Sequence, residues 1–278
     1  MQKVIITADD YGMCDIVDKA IDTGIENGII TSTNVLLNMD SLEHARTLRQ
    51  RYPHISVGIH WNVTTGKPVC DPNTIPSLVD DNGFFWPVSD FKRRYRKHLI
   101  SREDLIRELE TQYTLFEECC GKPDYWNTHE NSALQVSAFY AFAEVAKRHN
   151  IKATRTFQRV YYDKVGIGLK RELREFAVKN FFEIWFSLIR KDFQMPSARV
   201  VSFDKISKLD GDYLLNGLIS DGRDNIEVVF HPALSAEHPY FGNISEKRVA
   251  EYRFVSSKEI KERYVASGIE FVNFSSIR

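Results

Sequence analysis

The chain has little of what would mark a membrane, secreted or nucleotide-dependent protein. No stretch approaches the roughly 18 uninterrupted apolar residues that a membrane span needs. Cysteine is sparse, four in 278 residues, and no C-x-x-C spacing occurs. Cys119 and Cys120 are adjacent, a geometry that rarely bridges, so reduced thiols in a reducing compartment are expected. Neither a G-x-G-x-x-G run after the first strand nor a Walker A run is present, which argues against nucleotide dependence. A surplus of one charge is lacking too: Lys+Arg is 37, Asp+Glu is 38 and the net charge is -1. A dedicated nucleic-acid binder usually carries a basic excess. The run Lys92-Arg93-Arg94-Tyr95-Arg96-Lys97 therefore reads as a solvated helix face. Asp9 and Asp10 arrive before the apolar core of a signal peptide could form. A cytoplasmic protein with no membrane or nucleic-acid partner is the expectation.

What the chain does have is apolar residue content of 43%, enough for a packed core and against global disorder. Short apolar runs alternate with amphipathic stretches, the pattern of an α/β fold. Strands are expected at 4–8, 31–37, 55–61, 124–129, 151–157, 199–203, 226–230 and 269–274, and helices from Asp15, at 41–51, 101–120, 135–149 and 245–267. Gly28 stands where a helix stop belongs. Residues 65–90, rich in proline, read as a long irregular excursion, and long ordered loops are usually functional. An aromatic, basic segment at 163–198 reads as a helical insertion whose apolar side packs in the core or between subunits, which leaves room for a homo-oligomer such as a dimer. The economical architecture is a single-domain, distorted or incomplete (β/α) barrel resembling a TIM-like barrel, with a doubly wound open sheet as the alternative.

Such folds place chemistry at the C-terminal ends of parallel strands. Four expected strands end in suitable residues: Asp9-Asp10, His60, His129 and His231. Singly, each has a plain alternative. Paired acids can cap the next helix, and a lone histidine is usually a hydrogen-bonded structural residue. Together, a carboxylate and two imidazoles make a three-ligand set for a divalent metal with open positions. Neighbours on a strand point to opposite faces, but where the strand ends and the chain turns both acids can be re-aimed. One can then bind metal while the other reaches a water. Trp61, Phe84, Phe85 and Trp86 offer flat faces suited to a sugar ring, and Arg155, at a strand end, could contact substrate; packing is the alternative for each.

The ordered motifs resemble the YdjC-like family of carbohydrate deacetylases, which includes chitooligosaccharide deacetylases. They are Ala8-Asp9-Asp10-Tyr11-Gly12, Gly28-Ile29-Ile30-Thr31-Ser32-Thr33, Val57-Gly58-Ile59-His60, Ser77-Leu78-Val79-Asp80, Phe230-His231-Pro232 and Arg248-Val249-Ala250-Glu251. The resemblance implies a hydrolase that removes acetyl from an N-acetylated saccharide. It implies Asp10, His60 and His129 as ligands of one divalent metal ion, Asp9 as general base, and His231 as acid or oxyanion stabiliser. The ligand set favours Zn2+ on donor softness, whereas the family is linked to Mg2+. Two departures stand out. The family's D-[SG]-H-x-H reads Asn127-Thr128-His129-Glu130-Asn131 here, and its H-P-G reads His231-Pro232-Ala233. They feed the alternative of a non-catalytic saccharide-binding or regulatory protein that keeps fold and metal.

Overall fold

The structure is a computed structural model, and it describes residues 1–134, 136–156, 158–160, 162, 191–201, 211–241 and 245–277. Among the described residues, eight strands form one sheet in which every pairing is parallel: β1 (Gln2–Tyr11), β2 (Ser32–Val35), β3 (Ser56–Trp61), β4 (Trp126–Thr128), β5 (Arg159–Val160), β6 (Ala198–Val201), β7 (Asn225–Phe230) and β8 (Ile269–Phe271). The order is β4-β3-β2-β1-β7-β6-β5, with β8 set against the start of β1. The edges come together through one stretch of chain. Thr154 bridges to Trp126 of β4, and a few residues on β5 pairs with β6. The curled, nearly closed sheet is the incomplete barrel expected from the alternating apolar runs.

Helices cover its outside. They are α1 (Asp15–Glu26), α2 (Leu48–Arg51), α3 (Val88–Arg96), α4 (Arg102–Cys120), α5 (Val136–Arg148), α6 (Gly211–Asp221), α7 (Ser245–Val255) and α8 (Lys258–Ala266). Strand alternation sorts the residues of β1. Val4, Ile6 and Ala8 join the large core with Val17, Ile21 and Ile25 of α1. Ile5 faces into the curl and packs with Tyr125, Ala153, Phe274 and Ile277. Parallel register carries that inward face across the sheet: Ile5 lies level with Glu227, Glu227 with Arg199, Asn34 with Gly58, and His60 with Asn127. The inside of the curl is therefore largely polar, and the apolar core lies between sheet and helices.

Several expectations shift. The helix expected over 245–267 is two helices; the break falls at Ser256-Ser257, and Ser257 caps α8 by accepting from Ile260 N at 3.3 Å. The stretch at 41–51 is a 3-10 segment, Leu42–Thr47, running into the single turn α2. Gly28 does not end a helix through a left-handed residue; α1 stops at Glu26, and a Cβ at Gly28 would sit 1.7 Å from the Val255 carbonyl oxygen. Its role is close approach of two chain segments. Of the segment read as helical at 163–198, residues 163–190 lie outside the described residues, 191–197 are not helical, and Ala198 opens β6. Helix α6 carried no clear signal beforehand. No described helix is long and apolar enough to cross a membrane.

Candidate active site

The two acids at the end of β1 reach one side because the strand is irregular there. Its register with β2 shifts between Ala8 and Tyr11, and Asp10 has φ +78°. Aspartate tolerates that left-handed backbone better than most residues. The bulge turns Asp10 toward the side that Asp9 already faces, so re-aiming occurs within the strand. His60 arrives from β3 and His129 from the residue after β4.

Asp10, His60 and His129 offer ligand atoms that all lie within 4.8 Å of one another, and all three are buried. Asp10 Oδ1 is 3.1 Å from His129 Nδ1 and 3.4 Å from His60 Nε2. Those two nitrogens are 3.4 Å apart. Asp10 Oδ2 is taken by Arg248 at 2.6 Å, which leaves Oδ1 for the shared point. One carboxylate oxygen and two imidazole nitrogens aimed at one spot form a donor set that suits a divalent ion with open positions. Burial raises the Asp10 carboxyl, but Arg248 and His129 hold it well below the usual carboxylate range. Burial lowers His129, but Asp10 more than offsets that and leaves it raised.

Asp9 lies beside this cluster. Arg155 grips it at both oxygens, 2.7 and 2.6 Å, and Asn34 Nδ2 donates to Oδ1 at 2.7 Å. Burial pushes the Asp9 carboxyl up, yet the guanidinium wins and holds it well below its ordinary range. Arg155 Nε donates to Glu227 at 2.9 Å, so both carboxylates share one cation. His231 Nε2 is 3.6 Å from Asp9 Oδ2, and burial keeps that imidazole below its usual value despite Asp9, Asp10 and Glu251 nearby. The His231 amide donates to Glu251 at 2.5 Å.

The structure thus brings Asp9, Asp10, His60, His129 and His231 together. The expected substrate contacts fare differently. Arg155 is 6% exposed, and its guanidinium pairs with Asp9 and Glu227, so it braces the acids of the site. Trp61 is wholly buried, its ring 5.4 Å from Trp126 and 5.8 Å from Phe142, on the core side of β3. Strand alternation forces this, because its neighbour His60 faces inward. Phe84 is exposed with Lys67 5.0 Å above its ring, and Trp86 is held in the excursion by Nε1 donating to Ser77 O and by Arg94 over its face. Phe85 is buried. The excursion touches the rim where Thr65 Oγ1 reaches Glu130 at 3.5 Å. Sequence reasoning gave no role to Asn34, Glu227, Arg248 or Glu251. The signal for the last two was a three-residue spacing on one helix, which puts both on one face.

A curled parallel sheet with a metal-type Asp-His-His cluster at its strand ends, and a further carboxylate beside it, defines an α/β-barrel protein built for hydrolytic chemistry. The chain belongs to the YdjC-like family, whose model matches residues 3–266. A carbohydrate deacetylase of Clostridium beijerinckii is 27% identical over 99% of this chain and 100% of its own length. A chitooligosaccharide deacetylase of Yersinia pestis is 31% identical over 49% of this chain and 51% of its own. Among solved structures, an Enterococcus faecalis protein named for cellobiose-phosphate cleavage superposes with a TM-score of 0.77 at 23% identity, over 99% of this chain and 98% of that one. That likeness supports the fold.

Proposed function

We propose that the protein is a metal-dependent carbohydrate deacetylase that hydrolyses the N-acetyl group of a sugar or short chitooligosaccharide and releases acetate. The observation that carries this reading is the meeting of Asp10, His60 and His129 within 4.8 Å, with Asp9 alongside. Full-length relatives named carbohydrate deacetylase support it. A divalent ion held by these three residues, Mg2+ or Zn2+, would polarise the acetyl carbonyl and make water acidic enough to attack near neutral pH. Asp9, kept ionised by Arg155, accepts the proton of the attacking water. His231 enters the reaction neutral, takes that proton across the 3.6 Å gap from Asp9, and hands it to the departing amine. Arg248 and Arg155 fix the two acids so that neither can swap roles.

The test is acetate release from N,N′-diacetylchitobiose by protein reconstituted with each metal, with Asp9→Asn run in parallel. The expected result is release by the wild type and a loss of at least about a hundredfold in the variant, the scale of a general base, with metal still bound. Turnover retained in Asp9→Asn removes the base from the scheme. Silence of the wild type across a panel of N-acetylated saccharides overturns the deacetylase reading.

A further inference from the structure

His60 presents its two ring nitrogens to different neighbours. Nε2 points to the cluster, 3.4 Å from both Asp10 Oδ1 and His129 Nδ1. Nδ1 meets the side-chain amide of Asn127, level with it on β4. To bind a cation through Nε2, the ring must carry its proton on Nδ1 and needs an acceptor there.

The other end of that amide faces only donors. Arg155 places two guanidinium nitrogens 3.1 and 3.0 Å away, and Asn34 places Nδ2 at 2.9 Å. These three N–H groups call for an oxygen. Turned to satisfy them, the Asn127 amide offers its NH2 to His60 Nδ1, which makes Nδ1 the acceptor and sends the ring proton to Nε2. Turned the other way, it accepts from His60 Nδ1–H but presses its NH2 against Arg155 and Asn34. One amide has one oxygen and cannot serve both sides. Arg155 cannot withdraw, because Asp9 and Glu227 hold it by three hydrogen bonds. Asn127 is 3% exposed, so bulk water gives little relief.

We propose that Asn127 is a positioning residue that sets the tautomer of His60 against metal binding, so that the cation site is held weak by a choice of hydrogen-bond partner rather than by a missing ligand. The inference rests on the metal reading of Asp10, His60 and His129. Loading the site requires the amide to turn and the proton to move from Nε2 to Nδ1. A carboxylate at 127 would remove the conflict, since one oxygen can accept from His60 and the other from Arg155 and Asn34.

The experiment compares wild type, Asn127→Asp and His60→Ala by direct zinc titration in a calorimeter. It also reads the His60 tautomer of metal-free protein from 15N NMR shifts. Partners of this kind typically shift metal affinity 10–100-fold, so Asn127→Asp is expected to bind roughly tenfold to a hundredfold more tightly. His60 should be Nε2–H in the wild type and Nδ1–H in the variant. An added negative charge alone could tighten binding, but it would leave the wild-type tautomer as Nδ1–H, and that result overturns the proposal. So does an Asn127→Asp affinity within twofold of wild type while His60→Ala abolishes binding, an outcome that leaves the metal site standing. Zinc binding that survives His60→Ala, or no binding in any of the three proteins, brings down the metal reading and the proposal with it.

Discussion

Asp9 and Arg155 show how much a single pair can carry. Both are buried, and the guanidinium also serves Glu227. Removing one partner of such a pair leaves an uncompensated buried charge, which costs about 3–5 kcal/mol. Arg155→Met leaves two carboxylates in that state and should destabilise the fold by this amount in urea unfolding at pH 7. The pH dependence has a definite sign. In the wild type the folded Asp9 carboxyl lies below its unfolded value, so its contribution is complete above about pH 4 and is lost as pH falls further. Without the guanidinium, burial dominates and raises the group, so protonation on acidification favours the folded variant. The stability gap between wild type and Arg155→Met should therefore narrow from pH 7 to pH 4. A gap that is constant or widens refutes the pairing as the cause. The five clustering residues were legible because they end strands or open the turns after them. Trp61 was legible too, as a residue that must face away from His60, but the aromatic type suggested a sugar platform instead. Arg155 was not legible: its partner Asp9 lies 146 positions away, and only the fold says which carboxylates meet it.

Elements explain why the side chains arrive together. Strand β3 can bring His60 inward because the residue two places before it, on the same face, has no side chain. A Cβ at Gly58 would lie 2.6 Å from the ring of Tyr125. That ring cannot retreat, because it stacks on Phe274 at 3.7 Å and its hydroxyl accepts from Ser32 at 2.9 Å. Gly58→Ala should therefore cost about 1–3 kcal/mol, the usual scale for overpacking, measured by urea unfolding. A neutral substitution would mean that Tyr125 moves freely. The bulge in β1 was hidden for a related reason. Two adjacent acids announce that something must be re-aimed, but strand, turn and bulge all satisfy that need in sequence. The break between α7 and α8 hides in Ser256-Ser257, since serine caps one helix and is tolerated inside another.

At the scale of the molecule, the cluster ties distant parts of the chain to one point. Its residues come from positions 10, 60 and 129, and Arg248 on α7 braces Asp10 across 238 positions. Unfolding scatters all four, so an ion bound there stabilises the native state alone. Native-only binding adds about 2.7 kcal/mol when free ligand is a hundred times Kd. For a chain of this size that raises Tm by roughly 5 °C. Adding zinc or magnesium at that excess to chelator-treated protein should produce the shift in a thermal melt. His129→Ala should erase it, because the loss of one imidazole leaves two ligands from the set. The cysteines offer no rival chelate, since Cys14, Cys70, Cys119 and Cys120 are all buried, and burial pushes each thiol up and away from the thiolate that a metal prefers. An equal shift in His129→Ala would place the ion elsewhere in the chain and would detach the strand-end cluster from metal chemistry.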